Sequence, residues 1–343
     1  MDTKTKFGQF YTTNYSYILQ NMTIPSSVSH IIEPFAGNGD LLKFIENIDD
    51  YKVELYDIDP KIDETVKCDT ILNPPSYDGK YVITNPPYLA KNKNPDKTLY
   101  DLYGCNDLYK CFLVTLINSC CLGGIIIIPL NFLSSIRKMD VELRKKFLEK
   151  YSFETINIFE EQVFTDTSYS VCSISFMSKE ILPISKINTM VYPGETNIDI
   201  SFTEENNYTI GGELYTLPIN KTYKIERATR LNSNSEYLTH ILLYCIDGKS
   251  PKNRISFKVV DDDEIFIDKT EKLSARSFAT LIINVKLTIA QQRDICKLCN
   301  KFLNSQRKKY NSLFLTNYRE GKRKRISFKL AYDICNYVLT DYL

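Results

Sequence analysis

The sequence predicts a doubly wound α/β domain followed by a smaller α+β domain, and three features carry that prediction. From about residue 28 to 177, short Ile- and Val-rich runs alternate with stretches whose apolar residues recur at helical spacing. Those runs are apolar on both sides, and strands of that kind need cover on both faces, which a parallel sheet flanked by helices supplies. Past about residue 183 the texture changes to mixed polar stretches with turn signals, and 343 residues at 43% hydrophobic content are enough for two cores. The predicted division is therefore 1–182 and 183–343.

Taken in order, HIIEPF, KVELYDI, TILN, YVITNPPY, GGIIIIPLN, ETINIF and SVCSISFM read as strands. Between them GDLLKFIENI, YKCFLVTLINSCC and VELRKKFLEKY read as amphipathic helices. In the second part YPGETN and TIGGELY read as turns and RISFKVV and DEIFIDK as short strands. LTIAQQRDICKLCNKFLNSQRKK reads as a helix capped by Thr288. There is no internal repeat and no long low-complexity linker.

Composition narrows the function classes. Lys and Arg number 43 against 42 Asp and Glu, so any preference for nucleic acid must come from local clustering rather than a global field. One such cluster lies at 301–329, with ten cationic side chains against Glu320 alone. The opening MDTKTKFGQF has no apolar core of the kind a secretory signal needs, and CCLGGIIIIPL is too short to span a bilayer. The expectation is a soluble cytoplasmic protein, compatible with a bacterial, phage or viral source and without a membrane partner. The ten cysteines form no framework, and Cys296 with Cys299 is the one CxxC pair in a chain with two histidines; reduced, packed thiols are expected and no metal.

The residues suited to chemistry cluster at predicted strand ends, where doubly wound sheets bind ligands. In EPFAGNGD, Gly37 and Gly39 allow a sharp turn with close backbone approach to a ligand. The next strand, VELYDID, ends in Asp57 and Asp59, and an acid there can accept both hydroxyls of a ribose. No third glycine follows, which disfavours a pyrophosphate. Asp69 in CDTIL can accept from the exocyclic amine of an adenine or can open a turn. With Glu33 suited to an ammonium, the set sketches a cradle for S-adenosylmethionine, which has adenosine and no phosphate. In TNPPYLA two prolines fix φ and remove two N–H donors, holding the Asn85 side chain and the Pro86 carbonyl as rigid acceptors. Two acceptors can bind both hydrogens of a planar amine, orient it, and stabilise the positive charge that grows as its nitrogen attacks a methyl group. Tyr88 offers a face on which a base can stack.

FGQFYT, EPFAGNGD, DID, CDTIL, TNPPY, DLYKCF and GGIIIIPLNFLSS, in that order, resemble the successive motifs of the S-adenosylmethionine-dependent DNA adenine-N6 methyltransferases. The order, with the cofactor half before the catalytic half and extra sequence after both, resembles the gamma arrangement with a C-terminal target-recognition domain. The resemblance covers roughly 5–178 and implies a Rossmann-like methyltransferase sheet. It assigns Phe10, Tyr11 and Thr12 to the methionine end of S-adenosyl-L-methionine, Glu33, Gly37 and Gly39 to its amino-acid and nucleoside turn, Asp57 to the ribose and Asp69 to the adenine. Asn85, Pro86, Pro87 and Tyr88 match the catalytic motif, and Phe164 matches the aromatic that closes the other face of a flipped base. Two departures stand out: Thr13 replaces a frequent proline, and an additional NPP at 73–75 precedes Ser76 and reads as a loop. The implied partners are double-stranded DNA and a cognate restriction endonuclease. Lys308, Lys309, Arg319, Lys322, Arg323, Lys324 and Arg325 are the candidate phosphate contacts. The same NPPY chemistry on a protein glutamine or on RNA, and a DNA-recognition module of a restriction-modification assembly, are the alternatives.

Overall fold

The computed structural model describes residues 8, 10–164, 169–181, 186–248, 254–269, 277–315 and 324–343. The chain divides into two compact units, Met1–Ser201 and Phe202–Leu343. The first holds nine strands: β1 His30–Glu33, β2 Lys52–Asp57, β3 Val66–Lys67, β4 Tyr81–Thr84, β5 Gly123–Pro129, β6 Tyr151–Phe159, β7 Val171–Ser178, β8 Asn188–Tyr192 and β9 Thr196–Asn197. They form one sheet in the order β3-β2-β1-β4-β5-β7-β6-β8-β9. Every residue of β4, β5 and β7 is buried, as strands covered on both faces require. Helices α1 Leu108–Ile117 and α2 Lys138–Lys150 accompany the sheet.

Strands β1 to β5 pair in parallel, but β7 runs antiparallel to both β5 and β6, so the sheet is not uniformly parallel. The reason is chain length. A parallel return needs a crossover of a dozen or more residues, and only 160–170 separate β6 from β7.

Three local expectations are corrected. TILN is a turn, because Asp69 Oδ1 accepts from the N–H groups of Ile71 and Leu72, both at 3.1 Å, which removes those donors from any ladder; the strand beside β2 is Val66–Lys67. GDLLKFIENI forms two 3₁₀ turns, Asp40–Phe44 and Ile48–Asp50, because Ile45 is extended and Asn47 sits at φ +49° between them. DEIFIDK forms a 3₁₀ turn at Asp262–Glu264 and a single bridge from Asp268 to Thr229. The additional NPP at 73–75 lies outside regular structure. Residues 188–192 pair with β6, so the boundary between the units falls at 201/202, past the 182/183 read from sequence texture.

The second unit carries an antiparallel sheet, ordered β10-β13-β11-β12, of β10 Ile225–Arg227, β11 Leu238–Tyr244, β12 Ser256–Val259 and β13 Phe278–Ile283. Helix α3, Ile289–Lys309, packs on β12 and on α4, Phe328–Tyr342. Thr288 caps α3 in a reciprocal capping box with Gln291, which satisfies two N-terminal donors. Cys296 and Cys299 are buried on this helix. Among the described residues no group of His, Cys, Asp or Glu is placed to hold a metal ion, and no helix is long and apolar enough to cross a membrane.

Candidate active site

In the sheet, β1 has β2 on one side and β4 on the other, so the chain reverses its winding direction between β1 and β4. A crevice opens at the carboxyl ends of strands at such a point. Glu33 ends β1, Asp57 ends β2, and Asn85 directly follows β4.

The glycine turn after β1 is tied to β2. Ala36 N–H donates to the Tyr56 carbonyl at 2.9 Å, Gly37 N–H donates to Asp57 Oδ2 at 2.9 Å, and Asp59 N–H donates to Asp57 Oδ1 at 2.7 Å. Gly37 and Gly39 adopt φ +52° and +71°, which favours glycine at both. Space is tight as well: a Cβ at Gly37 would lie 3.2 Å from the Tyr11 ring and one at Gly39 would lie 2.6 Å from Ile62 Cδ1, so a neighbouring side chain would have to shift. Glu33, at the root of this turn, is 2% exposed and its Oε2 has no hydrogen-bond partner among the described residues. Burial, together with Asp57 and Asp40, pushes its carboxyl well above the usual range. Asp69 holds its turn through Oδ1, so the turn-opening role is realised.

The NPPY motif is arranged around the Asn85 amide, which is 8% exposed. Its Nδ2 donates to the Phe10 carbonyl at 2.8 Å and to Thr12 Oγ1 at 3.0 Å. The Tyr88 hydroxyl lies 2.5 Å from Asn85 Oδ1 and 2.7 Å from the Ile127 carbonyl of β5. Burial raises the Tyr88 pKa well above its ordinary value, so this hydroxyl stays protonated as a donor. The Pro86 carbonyl accepts no hydrogen bond among the described residues. The Phe10 ring stacks on Tyr88 at a centroid distance of 5.1 Å and 28°, and it meets Phe164 at 6.2 Å and 41°.

A cavity of about 680 Å³ joins the two halves. Asp57, Ile58, Asp69 and Ile71 line one part, and Phe10, Tyr11, Asn85 and Pro87 line another. Thr12, Glu33, Gly37, Gly39, Pro86, Tyr88 and Phe164 shape the surroundings without lining it. Two contributions are invisible to sequence motifs alone. Gly8 accepts from Tyr88 N–H at 3.0 Å, and a Cβ there would lie 2.8 Å from the Tyr88 carbonyl oxygen, so Gly8 docks directly on the NPPY backbone. The glycine of FGQFYT is the one signal that could have found this. Residues Lys93, Asn94, Pro95 and Asp96 line a further wall of the cavity, and no motif marks them.

The basic cluster is partly retired by folding. Lys308 and Lys309 are exposed at the end of α3, where Lys309 also reaches Glu213 at 3.3 Å. Lys324 is a correction: it is 5% exposed, because the segment beginning there is drawn inward by the Ile246–Arg325 bridge and by Asp247 N–H donating to the Lys324 carbonyl at 3.0 Å. Arg325 is half-buried, and Arg319, Lys322 and Arg323 lie outside the described residues. Arg307 is committed to Asp247 through two bonds of 3.0 and 2.6 Å.

The β3-β2-β1-β4-β5-β7-β6 core is a doubly wound α/β sheet with a glycine turn after β1, an acid ending β2 and NPPY after β4. Residues 37–164, somewhat over a third of the chain, match the family model described as Eco57I restriction-modification methylase. No curated protein sequence matches the chain. Among solved structures, the methyltransferase subunit of a type I restriction-modification system from Streptococcus thermophilus is 15% identical, with a TM-score of 0.39 over 57% of this chain and 51% of that one. The type IIG restriction endonuclease BpuSI is 14% identical, with a TM-score of 0.43 over 70% of this chain and 37% of that one. The type IIL restriction-modification enzyme MmeI, solved with DNA, is 11% identical, with a TM-score of 0.42 over 74% of this chain and 46% of that one. The chain thus spans about half or less of the length of these proteins.

Proposed function

We propose that the protein is a DNA methyltransferase that uses S-adenosyl-L-methionine to methylate the N6 amino group of an adenine flipped out of duplex DNA. The observation that carries the reading is the shared cavity onto which the nucleoside residues Asp57 and Asp69 and the amide of Asn85 all open. The residues fit the cofactor. Glu33 is a buried carboxyl with an orphaned oxygen whose surroundings raise its pKa, and a cationic amino-acid end placed beside it would favour its ionisation. Gly37 and Gly39 let the backbone approach a nucleoside, and Phe10, Tyr11 and Thr12 run along the join between the two halves.

When bound, the cofactor supplies a methyl group on a cationic sulfur. Asn85 Oδ1 and the Pro86 carbonyl accept the two N–H bonds of the adenine amine, and Pro86 and Pro87 keep both oxygens rigid. Positive charge growing on that nitrogen is stabilised by the same oxygens, and the proton leaves after the new C–N bond forms. Tyr88 and Phe164 stack on the base, whose extrusion from the duplex costs a few kcal/mol. Lys308, Lys309 and Arg325, with Arg319, Lys322 and Arg323, contribute phosphate contacts in a target-recognition segment, and a restriction endonuclease is the expected functional partner.

The test is incubation of the protein with labelled S-adenosylmethionine and, separately, unmethylated duplex DNA, RNA and protein extract. Label is expected in N6-methyladenine of the DNA. Label confined to RNA or protein would overturn the reading.

A further inference from the structure

Resting on that methyltransferase reading, we propose that Phe10 is a stopper for the base slot, a self-inserted ring that the target base has to displace. Tyr88 is 5% exposed, and its surroundings account for that burial. Phe10 stacks on the ring at 5.1 Å, Tyr109 packs edge-on at 6.2 Å, and the hydroxyl is turned inward to Asn85 and Ile127. Phe10 also meets Phe164. Both aromatics read as walls of the base slot are therefore engaged with Phe10, a flat ring with the stacking geometry of a base. No substrate can stack on the Phe10-covered face of Tyr88 until Phe10 leaves.

The stopper is tied to the group it guards. Asn85 donates through Nδ2 to the Phe10 carbonyl, so the backbone that carries the stopper rests on the acceptor residue itself. One displacement of the ring opens the Tyr88 face and uncovers Phe164. Gly8 and Thr12 hold the segment on either side, at Tyr88 N–H and at Asn85 Nδ2, which leaves the Phe10 ring as the part that swings. The slot is then filled in the resting protein and opens as the base enters.

The sequence contains no tryptophan, so Phe10→Trp introduces a single indole at the stopper. The probe is a duplex fragment that the wild type labels, selected from fragmented unmethylated plasmid DNA, added with S-adenosylhomocysteine. Iodide quenching of the indole is expected to be weak in the free protein and to rise severalfold with this fragment, while a fragment the wild type does not label leaves it unchanged. In parallel, Phe10→Ala removes the ring that the base must push off Tyr88, so kcat/KM for DNA, measured at saturating S-adenosylmethionine, is expected to rise roughly two- to tenfold. Quenching that stays weak at a saturating concentration of a fragment the wild type labels, or a fall in kcat/KM for DNA at saturating S-adenosylmethionine, overturns the stopper and leaves the methyltransferase reading standing. A wild type that labels no DNA removes both.

Discussion

Replacing Asn85 with Asp tests the geometry of the acceptor site without removing a heavy atom. In the wild type the amide nitrogen donates to the Phe10 carbonyl at 2.8 Å and to Thr12 Oγ1 at 3.0 Å. The variant puts a carboxylate oxygen where that nitrogen stood. Thr12 adapts, since its hydroxyl can rotate and donate, but the Phe10 carbonyl has no hydrogen to offer. Ionised, the variant loses about 1 kcal/mol of hydrogen bond and sets two oxygens against each other at a site only 8% exposed. Protonated, it recovers a donor for the Phe10 carbonyl. The aspartic acid pKa is thus raised in the folded state, by burial first and then by that carbonyl. A raised folded pKa means that stability is fully present below the ordinary Asp range and is lost as pH rises through the folded pKa. Each unit of elevation corresponds to about 1.4 kcal/mol, so the deficit relative to wild type should stay within about 1 kcal/mol in acid and widen by about 2–3 kcal/mol at pH 8. Urea denaturation of both proteins at pH 3.5 and pH 8, followed in far-ultraviolet circular dichroism, measures the gap. A gap that does not change with pH would show that the amide nitrogen does not face Phe10, and the acceptor assignment of Oδ1 would fail with it.

Two further substitutions probe the cofactor half and its support. Gly39→Ala places a side chain at φ +71° and 2.6 Å from Ile62 Cδ1, so it should destabilise the protein by about 1–2 kcal/mol and weaken S-adenosylmethionine binding in calorimetric titration. Adding Ile62→Ala relieves the clash but not the backbone strain, and undiminished binding by the single variant would refute the tight-turn argument. Asp107, pushed up to about 6 by burial against the pull of Lys110, favours the neutral form; its stabilising contribution is complete in acid and fades as pH rises from about 4 to about 6. Asp107→Asn should therefore gain on the wild type across that interval, by up to about 3 kcal/mol, and equal urea midpoints at pH 7 would refute it.

Much of this site is legible in the sequence because its residues answer local backbone demands. Gly37 and Gly39 declare a turn that other residues cannot make, Pro86 and Pro87 declare rigidity, and Thr288 followed by Gln291 declares a helix start. The illegible part depends on distant partners. The burial of Lys324 is decided by a bridge to Ile246, and the charge of Arg307 is absorbed by Asp247, sixty residues away in the chain. The periodicity of GDLLKFIENI predicts an α-helix, but a single left-handed Asn47 breaks it. The ring-on-ring stacking of Phe10 with Tyr88 joins positions 78 residues apart, and no spacing rule reaches that far.

The reversed strand β7 has a practical consequence for anyone isolating the family-matched middle of this chain. The match ends at residue 164, before β7 begins, and starts after β1 has ended. A fragment cut at 37 and 164 would strip both neighbours from their places: β4 would lose β1, and the isoleucine run of β5 would present a bare edge of seven buried residues. Such an edge invites another chain to pair with it. That excised piece should come out of the ribosome as aggregate rather than enzyme, whereas a cut after residue 201 keeps every partner of the sheet.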